Sequence, residues 1–375
     1  MRRRLLITAR DAAAALHLIE ISRYAVQHGD LDLAVVTQMP AARYFQRAGI
    51  GSATVNLGAA HRPDDATGSA LLEEARRVLD RYRPDAILCG LSTPFDGGID
   101  EAVQAVHGGP TAVMQDFWGE ANTFFGGKAD VYLALDEEGV NLTRSRFDLN
   151  AVAIGSPRHA AYAHIDIISA RNEARASVGL AADSQVIGFF GQALHNLEGY
   201  IRTLRAWVAA TNGLPRSVHR AFRPHPRQSE KERELTISLL RDFGLDCILL
   251  DHPDVERSLL VCDVVCSAFS NCTYDVAYLN YFSPYPIITP VSLFFDAEIV
   301  DYFRKMVRLD EFPYLKAGLV LSVDHAHDLE EVLSLALTDD VKTRYWSAAK
   351  HLANPAEAPR RALEVIDGLV KGQSV

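Results

Sequence analysis

Short apolar segments alternate with helix-like segments along most of the chain, and this alternation restricts the fold more than any other feature of the sequence. The apolar segments have the length of buried strands, and amphipathic stretches separate them. The pattern runs to about residue 154 and restarts at residue 186. It predicts an α/β protein with two doubly wound parallel sheets. The predicted strands are 5–8, 33–37, 53–57, 86–89, 111–115, 131–135 and 152–154, followed by 186–190, 217–222, 247–250, 259–265 and 319–322.

The length of 375 residues also favours two domains, since a domain has about 150 residues. We place an N-terminal domain at 1–160 and a C-terminal domain at 161–345. Residues 346–375 are predicted to be helices, for which packing against the N-terminal domain is one option. Three further helices are predicted at 70–82, after a polar loop at 63–69, at 229–243, and at 255–262, the last of which overlaps the strand-like run 259–265.

Composition and charge exclude several classes of protein. A net charge of −10 argues against broad affinity for nucleic acid, which needs a basic surface. No apolar stretch is long enough to span a bilayer, and the five residues after Arg2-Arg3-Arg4 are too few for a signal peptide. The five cysteines form no C-x-x-C motif and fit reduced thiols. The expected location is therefore the cytoplasm, with peripheral membrane association left open.

A basic loop follows one of the predicted strands. Its two prolines, in the segment Arg223-Pro224-His225-Pro226-Arg227, prevent the strand from continuing. Two arginines and an imidazole within five residues suit an anionic ligand, and a phosphate would favour the charged form of His225. His225 is also a candidate catalytic residue, because it could neutralise a leaving phosphate. The alternative is a turn histidine that the prolines hold in place.

A second loop, rich in hydroxyl groups, precedes a helical segment that starts near residue 274. The backbone N–H groups of a helix N-terminus bind phosphate without a basic side chain. Capping of the helix by the same residues is the alternative. Because both loops should lie at the carboxyl ends of strands, we expect them to share the phosphate of one nucleotide. The candidate binding residues here are Ser267, Ser270, Asn271 and Thr273, with Gly191 and Gln192 as the floor near the donor.

The first half offers acidic groups at strand ends. Asp11 follows the first predicted strand, and Asp116 follows the predicted strand 111–115. A carboxylate at such an edge can take the proton of a substrate hydroxyl group, so each is a candidate base. Arg10 is a candidate substrate-binding residue, and Trp118 could stack on a sugar ring or pack in the core.

The order of these features resembles the two-domain GT-B glycosyltransferases over nearly the whole chain. The segments that carry the resemblance are Thr8-Ala9-Arg10-Asp11, Ile154-Gly155-Ser156-Pro157, Gly188-Phe189-Phe190-Gly191-Gln192, and Pro224-His225-Pro226 with its downstream serines. This implies two Rossmann-like domains that face each other across a cleft, the N-terminal one (1–160) binding the acceptor and the C-terminal one (161–345) binding the nucleotide donor.

Within that group, the chain is most similar to families with a His-Pro motif, the bacterial sialyltransferases and the CDP-glycerol glycerophosphotransferases. The resemblance implies a cytidine-linked donor such as a CMP-sugar, whose phosphate would contact His225 and Ser270 together with Ser267 or Thr273. The chain departs from the pattern at Ser270-Asn271, where those families have two adjacent hydroxyl residues.

These observations predict a metal-independent glycosyltransferase, without a cofactor, that inverts the anomeric centre. It would move a sugar, such as a nonulosonic acid or a similar cytidine-activated group, to a glycan, lipid-linked or surface-polymer acceptor. Two alternatives stay open. One is a sugar-nucleotide 2-epimerase or hydrolase of the same fold, and the other is a non-catalytic nucleotide-sugar binding protein. The sequence does not indicate the oligomeric state.

Overall fold

The computed structural model describes residues 2–29, 31–242, 244 and 246–373. The chain forms two compact units. The first unit comprises Met1–Ala163 and Ala353–Val375, and the second comprises His164–Leu352. Each unit contains a parallel sheet with helices between its strands, which confirms the predicted fold class.

The first unit alternates strands and helices from its beginning. Its C-terminal segment, a 3-10 helix followed by an α-helix, is described below with the end of the chain. The elements up to the end of the first segment are β1 (Arg3–Ala9), α1 (Ala12–His28), β2 (Leu31–Gln38), α2 (Ala41–Arg47), β3 (Ala53–Val55), α3 (Ala66–Tyr82), β4 (Ala86–Gly90), α4 (Ile99–Val106), β5 (Thr111–Met114), β6 (Val131–Ala134), α5 (Glu137–Phe147), β7 (Ala151–Ala153) and a 3-10 helix (Pro157–His164).

The strands of the first sheet are in the order β3-β2-β1-β4-β5-β6-β7 among the described residues. Ile7 on β1 pairs with Val35 on one side and with Leu88 on the other, so β1 is central. All the pairings are parallel, and the inner strands are buried, as the continuous apolar runs predict. The strand order reverses at β1 and β4, which places the loops after these strands beside each other.

The second unit repeats the same scheme with shorter outer strands. Its elements are α6 (Ile167–Ser177), β8 (Gln185–Phe190), α7 (Glu198–Gly213), β9 (Val218–Arg223), α8 (Glu230–Asp242), β10 (Cys247–Leu249), α9 (Val255–Val261), β11 (Val264–Ser267), α10 (Cys272–Phe282), β12 (Thr289–Leu293), α11 (Ala297–Val307), α12 (Pro313–Lys316), β13 (Leu321–Val323), a 3-10 helix (Ala326–Asp328), α13 (Leu329–Ala336) and α14 (Asp339–Ala349).

After α14 the chain returns to the first unit. A 3-10 helix (Pro355–Glu357) leads into α15 (Ala358–Val370), which packs against α1. The described strands of the second sheet are in the order β10-β9-β8-β11-β12-β13 and are parallel. Phe189, Trp207 and Phe222 form the aromatic centre of its core, with the rings of Phe189 and Trp207 5.4 Å apart.

Three predicted elements differ from the structure. α3 begins at Ala66 instead of residue 70, because Asp65 caps it by accepting a hydrogen bond from the Gly68 amide at 2.6 Å. Both a strand, 259–265, and an overlapping helix, 255–262, are predicted for the run before Asp263; the helix is confirmed as α9, which ends at Val261, and the strand β11 begins only at Val264. A short apolar run does not distinguish a buried helix from a buried strand. The predicted helix 229–243 is α8, and Phe243 lies outside the described residues.

A buried ion cluster joins several elements at the amino end of β11. Asp263 accepts hydrogen bonds from Arg171 Nη2 at 2.8 Å, from Arg175 Nη2 at 2.7 Å and from Lys342 Nζ at 3.3 Å. It also accepts one from the Val186 amide at 2.8 Å. One carboxylate therefore fixes α6, α14 and the start of β8 against β11, and it compensates three cations.

We expect Asp263→Asn to destabilise the second unit by about 3–5 kcal/mol, because it leaves buried cations without their counter-charge. Urea unfolding followed by circular dichroism would measure the loss. Asp310→Asn is the matched control, since the side chain of Asp310 is fully exposed. Equal stabilities for the two variants would contradict this account of the cluster.

Candidate functional site

The candidate site of the first unit lies at the carboxyl edge of its sheet. β1 pairs with β4, and β4 pairs with β5, so the loops that begin at Arg10, Leu91 and Gln115 leave the sheet side by side. Open α/β sheets bind ligands where the strand order reverses. The structure thus brings the predicted residues Arg10, Asp11 and Asp116 to one edge.

A buried carboxylate, Asp100, connects these loops. Its Oδ1 accepts hydrogen bonds from Thr8 Oγ1 at 2.6 Å and from the Gly90 amide at 3.3 Å. Its Oδ2 accepts hydrogen bonds from the Arg10 amide at 2.8 Å and from Ser92 Oγ at 3.4 Å. Asp100 therefore fixes the loop after β1 relative to the loop after β4.

The sequence analysis missed Asp100 and its neighbour Glu101, because acidic residues are common in the first turn of a helix. The signal that could have revealed them is Gly97-Gly98, immediately before α4. A Cβ atom on Gly98 would lie 2.3 Å from Cδ of Arg10, so only glycine leaves room for that side chain. The Gly98 amide donates to Glu101 Oε2 at 2.8 Å.

The guanidinium of Arg10 is held within the protein. Its Nη2 donates to Asp96 Oδ1 at 2.7 Å, and the residue is 5% exposed. Nε is buried without a hydrogen-bond partner among the described residues. In this arrangement Arg10 holds Asp96 in place, and a role for Arg10 in binding substrate stays a prediction.

Asp116 is a half-buried carboxyl group at the end of β5. Burial, followed by the neighbouring negative charge of Asp11, raises its pKa to about 7, although the positive charge of Arg158 opposes this shift. A carboxyl group with a pKa near neutrality can both take and return a proton at physiological pH. Asp11 accepts a hydrogen bond from the Thr93 amide at 3.3 Å. Its negative charge acts on the carboxyl group of Asp116.

The buried acids of α4 have a different environment. Burial raises the pKa of Asp100 to about 6, against the opposing effect of its Thr8 hydrogen bond. Burial and the charge of Asp100 raise the pKa of Glu101 to about 8. Both residues are almost completely shielded from solvent, so we assign them to the structure of the edge.

Trp118 does not lie on the edge. It is 1% exposed, and its Nε1 donates to Asp136 Oδ2 at 2.8 Å. This burial corrects the interpretation of Trp118 as a ring that stacks on a sugar, because its faces are packed inside the first unit. Glu120 is also occupied, with Oε1 accepting from the Ala121 amide at 3.1 Å.

In the second unit, the loop after β9 carries the predicted His225. The Arg227 amide donates to His225 Nδ1 at 3.1 Å, which places the ring proton on Nε2. Burial, with the positive charges of Arg227 and Arg223, lowers the pKa of His225 to about 4. Without a ligand the imidazole is therefore neutral, which corrects the expectation of a third cation in this loop. A bound phosphate would act in the opposite direction.

The two arginines of this loop differ in their environment. Arg223 donates from Nε to Ser258 Oγ at 3.2 Å and from Nη2 to the His252 carbonyl at 3.2 Å. It therefore anchors the loop to α9 and its preceding turn. Arg227 is exposed, so its charge is accessible to a ligand.

The hydroxyl residues after β11 also have separate roles. Ser267 is fully buried and donates to the Phe190 carbonyl at 3.0 Å and to Gln192 Oε1 at 3.2 Å. Thr273 is 1% exposed and donates to the Ser270 carbonyl at 2.9 Å. Both hydroxyl groups are therefore committed to the protein, which corrects the prediction that they bind phosphate directly.

Ser270 and Asn271 are the two predicted binding residues of this loop that are half-exposed. Ser270 Oγ accepts a hydrogen bond from the Cys272 amide at 3.2 Å, and its O–H can still donate. Asn271 precedes α10 and makes no side-chain cap. Gly191 and Gln192 follow β8, the neighbouring strand, so the floor predicted from the sequence lies beside this loop.

Among the described residues, no group of three or more His, Cys, Asp or Glu side chains is arranged to hold a metal ion. Within the same residues, no helix combines the length and the apolar character needed to cross a bilayer.

Solved structures with the same arrangement of elements are similar to the whole chain. A putative UDP-N-acetylglucosamine 2-epimerase from Listeria monocytogenes superposes with a TM-score of 0.71 and 13% identity, over 100% of this chain and 98% of the other. A UDP-GlcNAc 2-epimerase from Neisseria meningitidis, bound to UDP-GlcNAc, superposes with a TM-score of 0.67 and 12% identity, over 98% of this chain and 100% of the other. A glycosyltransferase from Rickettsia africae superposes with a TM-score of 0.66 and 10% identity, over 99% of this chain and 100% of the other.

The fold is GT-B-like. No protein-family model and no curated protein matches the chain. At these identities the likeness establishes the fold alone, and the structural neighbours include enzymes that act on nucleotide sugars. The special resemblance to the His-Pro sialyltransferase group is not shown by these matches and stays a prediction.

The raised pKa values predict how stability depends on pH. Asp116 and Glu101 keep their protons in the folded chain at pH values where the unfolded chain has lost them. Their contribution to the free energy of unfolding is fully present below the ordinary carboxyl pKa of about 4 and is lost as the pH rises through 7 to 8. Asp116→Asn should therefore show a smaller loss of stability between pH 5 and 8 than the wild-type chain.

Urea unfolding of both proteins at several pH values in this range measures the difference. Asp64→Asn serves as the control, because the side chain of Asp64 is exposed to solvent. Parallel curves for Asp116→Asn and the wild type would show that the Asp116 carboxyl does not titrate near neutrality.

Proposed function

We propose that the chain is a nucleotide-sugar-dependent glycosyltransferase in which Asp116 is the general base. The observation that carries the proposal is the half-buried Asp116 carboxyl at the carboxyl end of β5, with its pKa raised to about 7. As the carboxylate, it would take the proton of an acceptor hydroxyl while the bond to the donor phosphate breaks. This is the step that inversion by direct displacement requires.

The second unit supplies the groups for the phosphate of the donor. Nε2–H of His225, the exposed guanidinium of Arg227, the Ser270 hydroxyl and the backbone N–H groups before α10 are the donors in this proposal. Hydrogen bonds from such groups would stabilise the negative charge that develops on the leaving phosphate. This role needs neither a metal ion nor a cofactor.

We expect the nucleotide of the donor to be a cytidine nucleotide. The resemblance to the His-Pro families favours cytidine, whereas one structural neighbour holds UDP-GlcNAc. Thermal-shift measurements with CMP, CDP, UDP and GDP would compare the bases directly. A ligand at 100 times its Kd stabilises the folded protein by about 2.7 kcal/mol, which such a measurement detects. A clear preference for UDP or GDP would exclude the cytidine assignment.

A 2-epimerase or hydrolase is the second candidate, and the pair Asp11 and Asp116 favours it. Epimerisation needs groups that remove and return a proton, and two carboxyl groups with different environments can divide these tasks. Product analysis separates the candidates. Formation of an epimeric nucleotide sugar, or of free sugar without an acceptor, would replace the transferase proposal.

We expect His225→Ala to weaken binding of a nucleotide by roughly 10- to 100-fold, because a hydrogen bond to a charged group contributes about 1.5–3 kcal/mol. Calorimetric titration with CMP and UDP would measure the change. His219→Ala is the control, since His219 is an exposed histidine of the same unit. Unchanged affinity in a folded His225→Ala variant would remove His225 from the site.

We expect Asp116→Asn to keep the affinity for the donor and to lower the transfer rate by about 10²–10⁴-fold. The amide cannot accept the proton, while the phosphate ligands are on the second unit. Asp11→Asn is the comparison variant, and donor Kd and transfer rate are measured for both. If Asp11→Asn alone loses activity, Asp11 is the base. Wild-type rates in both variants would eliminate carboxylate catalysis by this pair.

A further inference from the structure

Four half-buried aromatic side chains lie beyond the carboxyl ends of β11 and β12 in the second unit. Phe269 follows β11, Phe294 and Phe295 follow β12, and Tyr302 lies on α11. We call these four residues the aromatic rim. Rings at the ligand-binding edge of a sheet, only partly covered by the protein, can contact a ligand through a face or an edge.

Most of the aromatic rim rests on buried rings. Phe269 is stacked on Phe312, with centroids 6.1 Å apart, and lies 6.2 Å from the ring of Tyr302. Phe294 packs edge-on against Phe303 at 5.3 Å. Phe295 makes no ring contact within the part of the chain that the structure describes. It is therefore the aromatic side chain here that no other ring covers.

The aromatic rim is joined to the phosphate loop. Gln192 Oε1 accepts hydrogen bonds from the Phe269 amide at 2.9 Å and from Ser267 Oγ at 3.2 Å. Ser270 is the next residue after Phe269, and Asn271 follows it. The same side chain thus fixes both the aromatic ring and the backbone that leads to the proposed phosphate ligands.

Two carboxylates at the start of α11, near the aromatic rim, are hydrogen-bonded within the protein. Asp296 accepts hydrogen bonds from Arg202 Nε at 2.8 Å and from the Glu298 amide at 3.0 Å, so it caps α11. Glu298 accepts a hydrogen bond from the Gly199 amide at 2.6 Å. Both acids are therefore hydrogen-bonded within the protein, and the four rings present apolar surface next to the proposed anion site. Such a surface suits the ring of a ligand whose charge is on its phosphate.

We propose that the aromatic rim binds an uncharged ring of the donor, with Phe295 stacking on that ring. The inference rests on the proposed function, because it takes the phosphate of a nucleotide sugar as the neighbouring group. The ring is the base or the sugar, both of which offer an apolar face to an aromatic side chain. The Asn271 amide, half-exposed at the start of α10, supplies a donor and an acceptor for the polar edge.

Calorimetric titration of Phe295→Ala and Phe295→Leu with pyrophosphate, CMP, UDP and UDP-N-acetylglucosamine tests the inference. Leucine keeps the apolar contact with the core and removes only the aromatic face, so it covers the case in which alanine destabilises the unit. We expect at least one ring-bearing ligand to bind about tenfold more weakly to both variants, while pyrophosphate binds as it does to the wild type. Tyr285→Ala, at an exposed aromatic residue before β12, should change none of the affinities.

The ligands identify the ring. Weaker binding of CMP or UDP assigns the base to the aromatic rim, whereas a loss confined to UDP-N-acetylglucosamine assigns the sugar. Unchanged affinities for all ring-bearing ligands, or an equal loss for pyrophosphate, would overturn the inference. His225→Ala measured in parallel separates the two proposals. If it weakens pyrophosphate while Phe295→Ala and Phe295→Leu change nothing, the aromatic rim fails and the phosphate site stands. If neither His225→Ala nor the Phe295 variants change the affinity for any ligand, both proposals fail.

Discussion

The hydrogen bonds of Asp100 determine the geometry on which the candidate site of the first unit depends. Two strand ends, β1 and β4, diverge into loops where the strand order reverses, and a loop without a buried anchor would adopt several conformations. Asp100 accepts from both loops and places Arg10 against Gly98, which in turn fixes Asp96. A buried carboxylate with so many donors is costly to desolvate, but it defines one arrangement of the edge.

The two units divide their charged groups in complementary ways. The edge of the first unit is rich in carboxyl groups whose burial disfavours ionisation, as for Asp116. The corresponding edge of the second unit has exposed Arg227, neutral His225 and the backbone N–H groups before α10. The second edge therefore offers a cation and hydrogen-bond donors to an anionic phosphate, whereas the first edge offers acidic groups. This division supports placing the donor phosphate on the second unit, independently of any likeness to other proteins.

Much of the fold could be predicted from the sequence, because alternating strand and helix periods leave few arrangements for a chain of this length. The errors have physical causes. The run before Asp263 is buried on all sides, so it fits both a strand and a helix. β12 is missing from the predicted strands because it contains Pro290, a residue that argues against an inner strand. For the candidate site, the sequence predicted which loops contribute but not which side chains in them are available to a ligand. Motifs located His225 and Ser270, but hydrogen bonds between distant segments, such as Ser267 to Phe190, decide which hydroxyl groups are available.

The return of α15 to the first unit affects the order in which the chain can fold during synthesis. Domains generally fold as units, with the N-terminal one first as the chain emerges from the ribosome. Here the second unit is contiguous from His164 to Leu352, whereas the first receives α15, packed on α1, only after all of that segment has been made. The face of α1 that contacts α15 therefore stays uncovered in the nascent chain while the second unit is synthesised. The second unit can therefore complete its fold before the first, because the helix that covers α1 is made after it.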